Sequence, residues 1–262
     1  MSIFIQEIKL HRLTWIIWTL AIGFMMAVAV MMYPEMQSQM TDISEAFSSM
    51  GKFTTAFGMD KLDFGTIKGY YGVEAGNVMG IGGAFFAAIL GIGMLMKEEQ
   101  GRTAEFLFTH PVSRTRVITE KLLSIFVMLL AMNLVILIFG VGAIMAIGEE
   151  LFLKEILLIQ LAYFLMELEI SGITFGISAF IRKAGLGIGI GLAGLLYMLN
   201  ILANITEEAK ALKYFTPFGF TDSAEIMTSL QIPGEYLATG MAFLAAGIVA
   251  AYLKYRNKDL MV

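Results

Sequence analysis

The chain has 262 residues, of which 58% are hydrophobic and 15% charged, and its mean hydropathy is +0.76. Soluble domains carry about 45–50% apolar and about 25% charged residues, so the composition excludes an ordinary soluble domain and indicates a polytopic membrane protein. The net charge of −4 says little where charge is sorted by membrane side, and the absence of cysteine excludes disulfides, thiolate metal sites and a thiol nucleophile.

Residues 2–12 place Ile3, Phe4, Ile5, Ile8 and Leu10 among polar neighbours, predicting a short helix on the inner membrane face. The apolar run 13–33 follows. It is too long for a signal-peptide core and no small-x-small cleavage site follows it, so it is expected to stay as an anchor. A span needs about 20 apolar residues, and five further segments qualify: 76–96, 122–147, 156–181, 186–205 and 236–253. After Pro34, the residues Met36, Met40, Ile43, Phe47 and Met50 form one stripe of a helix, expected on the outer surface. The fourth span is interrupted by Glu167 and Glu169. Residues 206–235 contain Pro217, Gly219 and Pro233 with Tyr214, Phe215, Phe218 and Phe220. They are expected to form a broken, partly buried outer hairpin, because irregular backbone facing lipid is not tolerated.

Charge sorting orients these spans. Lys9, Arg12, Lys97, Arg102, Arg114, Arg116, Lys121, Arg182, Lys183, Lys254, Arg256 and Lys258 fall on one side, twelve of the eighteen Lys and Arg. The alternate loops are acidic. The positive-inside rule then places both termini in the cytosol. Gly185, Gly187, Gly189, Gly191 and Gly194 in span 5, like the glycines of span 2, allow close helix approach, within the chain or between copies of it.

Catalytic chemistry finds little support. His11 and His110 are the only histidines, and neither lies in a span, so a rhomboid-like protease would lack its base. Glu98-Glu99 followed by Arg102 is one residue short of the EExxxR of CAAX-type intramembrane proteases. No GxxxxGK[ST] phosphate loop exists: the one Gly-Lys pair, Gly51-Lys52, is followed by Phe53. The chain is therefore expected not to be an enzyme, and any ATP-driven movement needs a second chain to hydrolyse the nucleotide. Twenty scattered methionines do not make a copper site, and no metal is expected. The intramembrane polar residues Glu167, Glu169, Asn133, Asn200 and Asn204 remain as candidates for a translocation path. Glu167 and Glu169 lie two apart, so on a helix they point about 200° apart and cannot form one paired-carboxylate site. Asn200 and Asn204 share a face.

Residues 97–121, KEEQGRTAEFLFTHPVSRTRVITEK, pack five cations and four carboxylates between two apolar runs. Residues 97–108 can form an amphipathic helix ending in Phe106, Leu107 and Phe108. Pro111 breaks it, and Ser113 can cap a new helix running into span 3. Acids and bases interleaved with aromatics suit docking to a partner.

This stretch resembles the signature of permease subunits of type-2 ATP-binding-cassette (ABC-2) transporters. The match falls on Glu98, Glu99, Gly101, Thr103, Glu105, Leu107, Thr109, Pro111, Val112, Ser113, Arg114 and Lys121, with Arg102 inserted where the commoner pattern has Gly-Thr adjacent. FGMDKLDFGTIKGYYGVE before span 2 and KYFTPFGF after span 5 also resemble segments of that family. The resemblance implies an all-α fold of six transmembrane helices with an N-terminal interfacial helix, forming a single transmembrane domain over 1–262. It further implies a coupling helix built from Glu98, Glu99, Gly101, Arg102, Thr103, Glu105, Phe106, Leu107 and Phe108, with Pro111 and Arg114 beside it. Two permease chains, identical or related, would each sit on a cytosolic ATPase subunit that binds ATP and Mg; this chain itself would carry no cofactor. Export across the cytoplasmic membrane of a prokaryote is the implied activity. A stand-alone channel or secondary carrier, or a non-transporting immunity or sensor protein on the same fold, are the alternatives.

Overall fold

A computed structural model describes residues 3–39, 54, 62–63, 65–100, 112–181 and 185–257, without the side chains of residues 98–100 and 207. The described helices are α1 (Ile3–Met31), α2 (Tyr33–Ser38), α3 (Ile67–Gln100), α4 (Arg114–Ala146), α5 (Leu153–Ser178) and α6 (Leu186–Ile205), then two 3-10 helices (Glu207–Phe215 and Pro217–Phe220), α7 (Ser223–Ser229) and α8 (Gly234–Arg256). No strand occurs among the described residues. Six helices, α1, α3, α4, α5, α6 and α8, are long and apolar enough to cross a membrane. They are apolar all round, as expected where one face meets protein and the other lipid.

α3 and α5 form the centre: 67% and 61% of their most apolar windows are buried, against 17% for α8 and 22% for α6. α1 packs along α4, α3 along α5, and α8 along the far side of α5, while α6 leans on α3. The α5–α8 crossing is close enough to need glycine on both sides. A Cβ on Gly176 would lie 2.6 Å from the Gly247 carbonyl oxygen, and one on Gly247 would lie 2.5 Å from that of Gly172. Gly172 and Gly176 form the small-xxx-small spacing that lets helix backbones touch.

Several helices differ from the apolar runs that announce them. α1 is one unbroken helix from Ile3, so the helical residues expected before span 1 run into it without a break. Its first turns are held onto the bundle instead: Ile3 and Glu7 are buried, and the Phe4 amide donates to Glu120 Oε2 at 3.0 Å. α3 begins well before residue 76, because Ile67, Tyr70, Tyr71 and Val73 already bury apolar side chains. α4 starts where the Ser113 cap places it; Ser113 Oγ accepts from the Arg116 amide. α5 passes through Glu167 and Glu169 without interruption because both are buried against other helices. α6 covers residues 186–205, as the apolar run predicts. Of the stripe after Pro34, Met36 lies in the short α2, and Met40, Ile43, Phe47 and Met50 fall outside the described residues.

The segment after α6 is broken, as its prolines require. Pro217 opens the second 3-10 helix, which is buried throughout, and Thr216 Oγ1 donates to the Leu196 carbonyl at 2.8 Å, pinning it to α6. Asp222 then caps α7, its Oδ1 accepting the amides of Ala224 and Glu225.

Candidate functional site

The polar segment between α3 and α4 is anchored by a buried ionic knot. Glu7, 3% exposed, extends from α1 between its neighbours. Its Oε1 accepts from Lys121 Nζ of α4 at 2.8 Å, and its Oε2 accepts from Lys97 Nζ in the last turn of α3. Lys121 is fully buried and also donates to the Met94 carbonyl at 2.6 Å. His11 Nε2 lies 3.3 Å from Lys97 Nζ and 3.7 Å from Glu7 Oε2. A lysine without exposure needs a counter-charge and hydrogen bonds, and this one has both. One carboxylate of α1 thus holds the two cations that bracket residues 98–120. Nearby, Arg114 Nη1 donates to the carbonyls of Tyr255 and Arg256 at 3.2 and 3.1 Å, tying the start of α4 to the last turn of α8. Arg116 Nε pairs with Glu120 at 2.7 Å.

Of the residues expected to couple to a partner, Arg114 is therefore engaged within the chain. Glu98 and Glu99 lie in α3 by their backbone. Gly101, Arg102, Thr103, Glu105, Phe106, Leu107, Phe108 and Pro111 lie outside the described residues. Sequence reasoning missed Glu7. Its signal was a single acid among Lys9, His11 and Arg12 on a helix next to Lys97 and Lys121.

A second polar group lies in the middle of the bundle. Asn133 Nδ2 of α4 donates to Glu167 Oε2 at 2.6 Å and to the Leu129 carbonyl at 2.9 Å, while Gln160 Nε2 donates to Asn133 Oδ1 at 2.7 Å. Glu167 Oε1 has no hydrogen-bond partner among the described residues and rests against Gly83 of α3, where any side chain would collide with it. Gln160 was not foreseen; it lies seven residues before Glu167, on the same helix face. Glu169 points the other way. Its Oε2, likewise without a partner among the described residues, rests against Gly240 of α8 and Phe220. The two carboxyls thus leave α5 toward different helices, as their spacing requires.

A third feature is a cavity of about 70 Å³ at the opposite end from the ionic knot. α3 contributes Gly76 and Asn77, α5 contributes Tyr163, and α6 contributes Tyr197, Asn200, Ile201 and Asn204. Phe218 and the Thr221–Ala224 turn close it. At its base the Tyr163 hydroxyl lies 3.2 Å from Ser223 Oγ and 3.3 Å from the Thr221 carbonyl. Tyr197 and Phe218 meet edge to face at 5.3 Å. Outside the cavity, Tyr214 Oη donates to Glu235 Oε2 at 2.9 Å, and that carboxylate pushes the Tyr214 phenol pKa up. The five residues proposed for a path therefore fall in three places: Asn133 with Glu167, Glu169 alone, and Asn200 with Asn204. Among the described residues, no three His, Cys, Asp or Glu side chains group so as to hold a metal ion.

No curated protein and no solved structure matches the chain. A sequence model of the family described as ABC-2 family transporter protein matches residues 1–260. With almost its whole length matched, and six apolar helices to cross the bilayer, the chain is a multi-pass membrane protein that belongs to the ABC-2 transporter family, whose members are the permease subunits of ABC transporters.

Proposed function

We propose that this chain is the translocating half of an ATP-driven exporter, coupled through residues 97–121 to a separate ATPase subunit that binds ATP and Mg. Two permease chains and two ATPase subunits make the working assembly. Both chain termini and residues 97–121 face the cytosol of a prokaryotic cell, and one transmembrane domain spans the chain. The observation that carries this reading is the ionic knot at the roots of the polar segment. Lys97 and Lys121 share Glu7, so a force applied to the segment is handed directly to α1, α3 and α4. An unanchored solvated loop would have no need of a fully buried lysine. The absence of a phosphate-cradling loop from the sequence fits a division of labour between chains. The faces of Gly187, Gly191 and Gly194, which meet nothing within 4 Å among the described residues, support α6 as part of the contact with a second permease chain.

The test is co-expression with a candidate ABC ATPase subunit from the same organism. The two should co-purify, the permease alone should hydrolyse no ATP, and Glu99→Lys should weaken association without changing the yield of the permease. Losing one partner of an interfacial charge pair typically costs about 2–5 kcal/mol. Arg114→Glu is a poorer probe, because it also releases the end of α8. ATP turnover by the isolated chain, or unaltered association of the Glu99→Lys variant, would refute the reading.

A further inference from the structure

We propose that the cavity between α3, α5, α6 and the buried hairpin is a binding site for an uncharged ligand rich in hydroxyl or amide groups. The lining decides the class. Its uncharged polar side chains are the amides of Asn77, Asn200 and Asn204 and the hydroxyls of Tyr163, Tyr197, Thr221 and Ser223. Each can both donate and accept, so together they match neutral groups that do the same. Neither the Asn77 nor the Asn200 side-chain amide hydrogen-bonds to another described residue, although both residues are half-buried at the cavity wall. Half-buried amides keep their hydrogen-bonding capacity for water or a ligand.

Charge in the cavity is already used. Asp222 is the one ionisable carboxylate in the lining; its Oδ1 caps α7 and its Oδ2 lies 3.5 Å from the buried Lys213 ammonium. An anion would meet Asp222 with no cation in the lining, and a cation would have to compete with Lys213 for Asp222. The Tyr197–Phe218 pair adds an apolar wall suited to the C–H face of a ring or chain. The volume, about 70 Å³, is far below the roughly 300–1,000 Å³ of pockets that enclose a whole drug-sized ligand, so it admits one small polar group at a time.

This inference takes its location from the translocation reading of Asn200 and Asn204, but binding can be read without ATP, ATPase or transport. A failure of binding and a failure of coupling are therefore distinguishable. The chain has no cysteine, so Ile201→Cys, which removes no polar lining group, gives a single label site in the cavity wall. The full-length variant in nanodiscs is labelled with N-ethylmaleimide at pH 6 in the presence of three probes of similar size. Acetamide is neutral and its amide both donates and accepts, acetamidinium is its cationic isostere, and acetate is the anion. Acetamide should slow labelling and the two charged probes should not. Adding Asn200→Ala should weaken that protection about two- to tenfold, the loss expected of one neutral hydrogen bond. Adding Asn200→Asp should move the preference to acetamidinium. Unprotected labelling at the parent rate certifies that each variant keeps the cavity. Equal protection by all three probes, protection by none, or a preference unmoved by Asn200→Asp would overturn the proposal.

Discussion

Removing the carboxylate of Glu7 should destabilise this protein more than removing either lysine it holds. In the wild type the carboxylate accepts from Lys121 at 2.8 Å and from Lys97, and the Lys121 side chain has no exposure. Glu7→Leu leaves Lys121 buried with the Met94 carbonyl as a hydrogen-bond acceptor and without the Glu7 charge. Removing one partner of a buried pair costs about 3–5 kcal/mol. Lys121→Met should cost less, about 2–3 kcal/mol, because Glu7 keeps Lys97, whose side chain is 27% exposed and partly solvated. Lys97→Met should cost about 1 kcal/mol, near the range of partly exposed pairs. The double variant Glu7→Leu/Lys121→Met replaces the buried pair by apolar groups and should recover most of the loss, giving a coupling of about 2 kcal/mol or more. For a chain of this size about 1 kcal/mol moves the melting temperature by roughly 2–4 °C. Glu7→Leu should therefore melt about 6–20 °C lower, as followed by thermal unfolding of the purified chain in one detergent. If Glu7→Leu and Lys97→Met melt alike, or if the double variant falls by the sum of the singles, Glu7 is not the centre of the knot.

Cysteines at Ser49 and Thr228 should react with an impermeant maleimide from outside intact cells, and one at Thr103 should react only after permeabilisation; the reverse pattern would invert the topology. Gly176→Val should lower the melting temperature sharply or abolish expression, since its Cβ would press into the backbone of α8, whereas Gly191→Ala, with nothing within 4 Å among the described residues, should leave the melting temperature of the isolated chain unchanged. Equal effects of those two substitutions would contradict the α5–α8 crossing. Glu167→Gln should mainly lower thermal stability, because it disturbs the Asn133–Gln160 network inside the bundle. Glu169→Gln, facing the hairpin and α8, should mainly impair transport by the whole complex, and a swap of these two phenotypes would reject the assignment.

Membrane crossing was legible because it needs only apolar length, and α6 coincides with its apolar run for that reason. The start of α4 was legible because a Ser cap after a proline is a local signal. What escaped was decided by distant partners. The first turns of α1 resemble a surface helix until Glu7 meets two lysines, one 90 and the other 114 residues away in sequence. The opposed directions of Glu167 and Glu169 follow from helical periodicity alone, but their destinations, Gly83 and Gly240, depend on how α5 is rotated among its neighbours. Gln160 was overlooked because a lone amide in an apolar run gains meaning only when Asn133 is set beside it. The glycines most apparent in the sequence, those of α6, are largely turned outward. The crossing that brings backbones together uses Gly172, Gly176 and Gly247 instead.

That crossing has a mechanical consequence. Where two backbones touch, no layer of side chains lies between them to change rotamer and let one helix slide past the other. α5 and α8 must then turn as a single lever. One end of the lever is held by Arg114, at the exit of the polar segment. The other carries Glu235 and Tyr236, which grip Tyr214 of the hairpin. A displacement of the root of α4 would therefore reach the walls of the far cavity as rotation, with little lost to internal slip along the way.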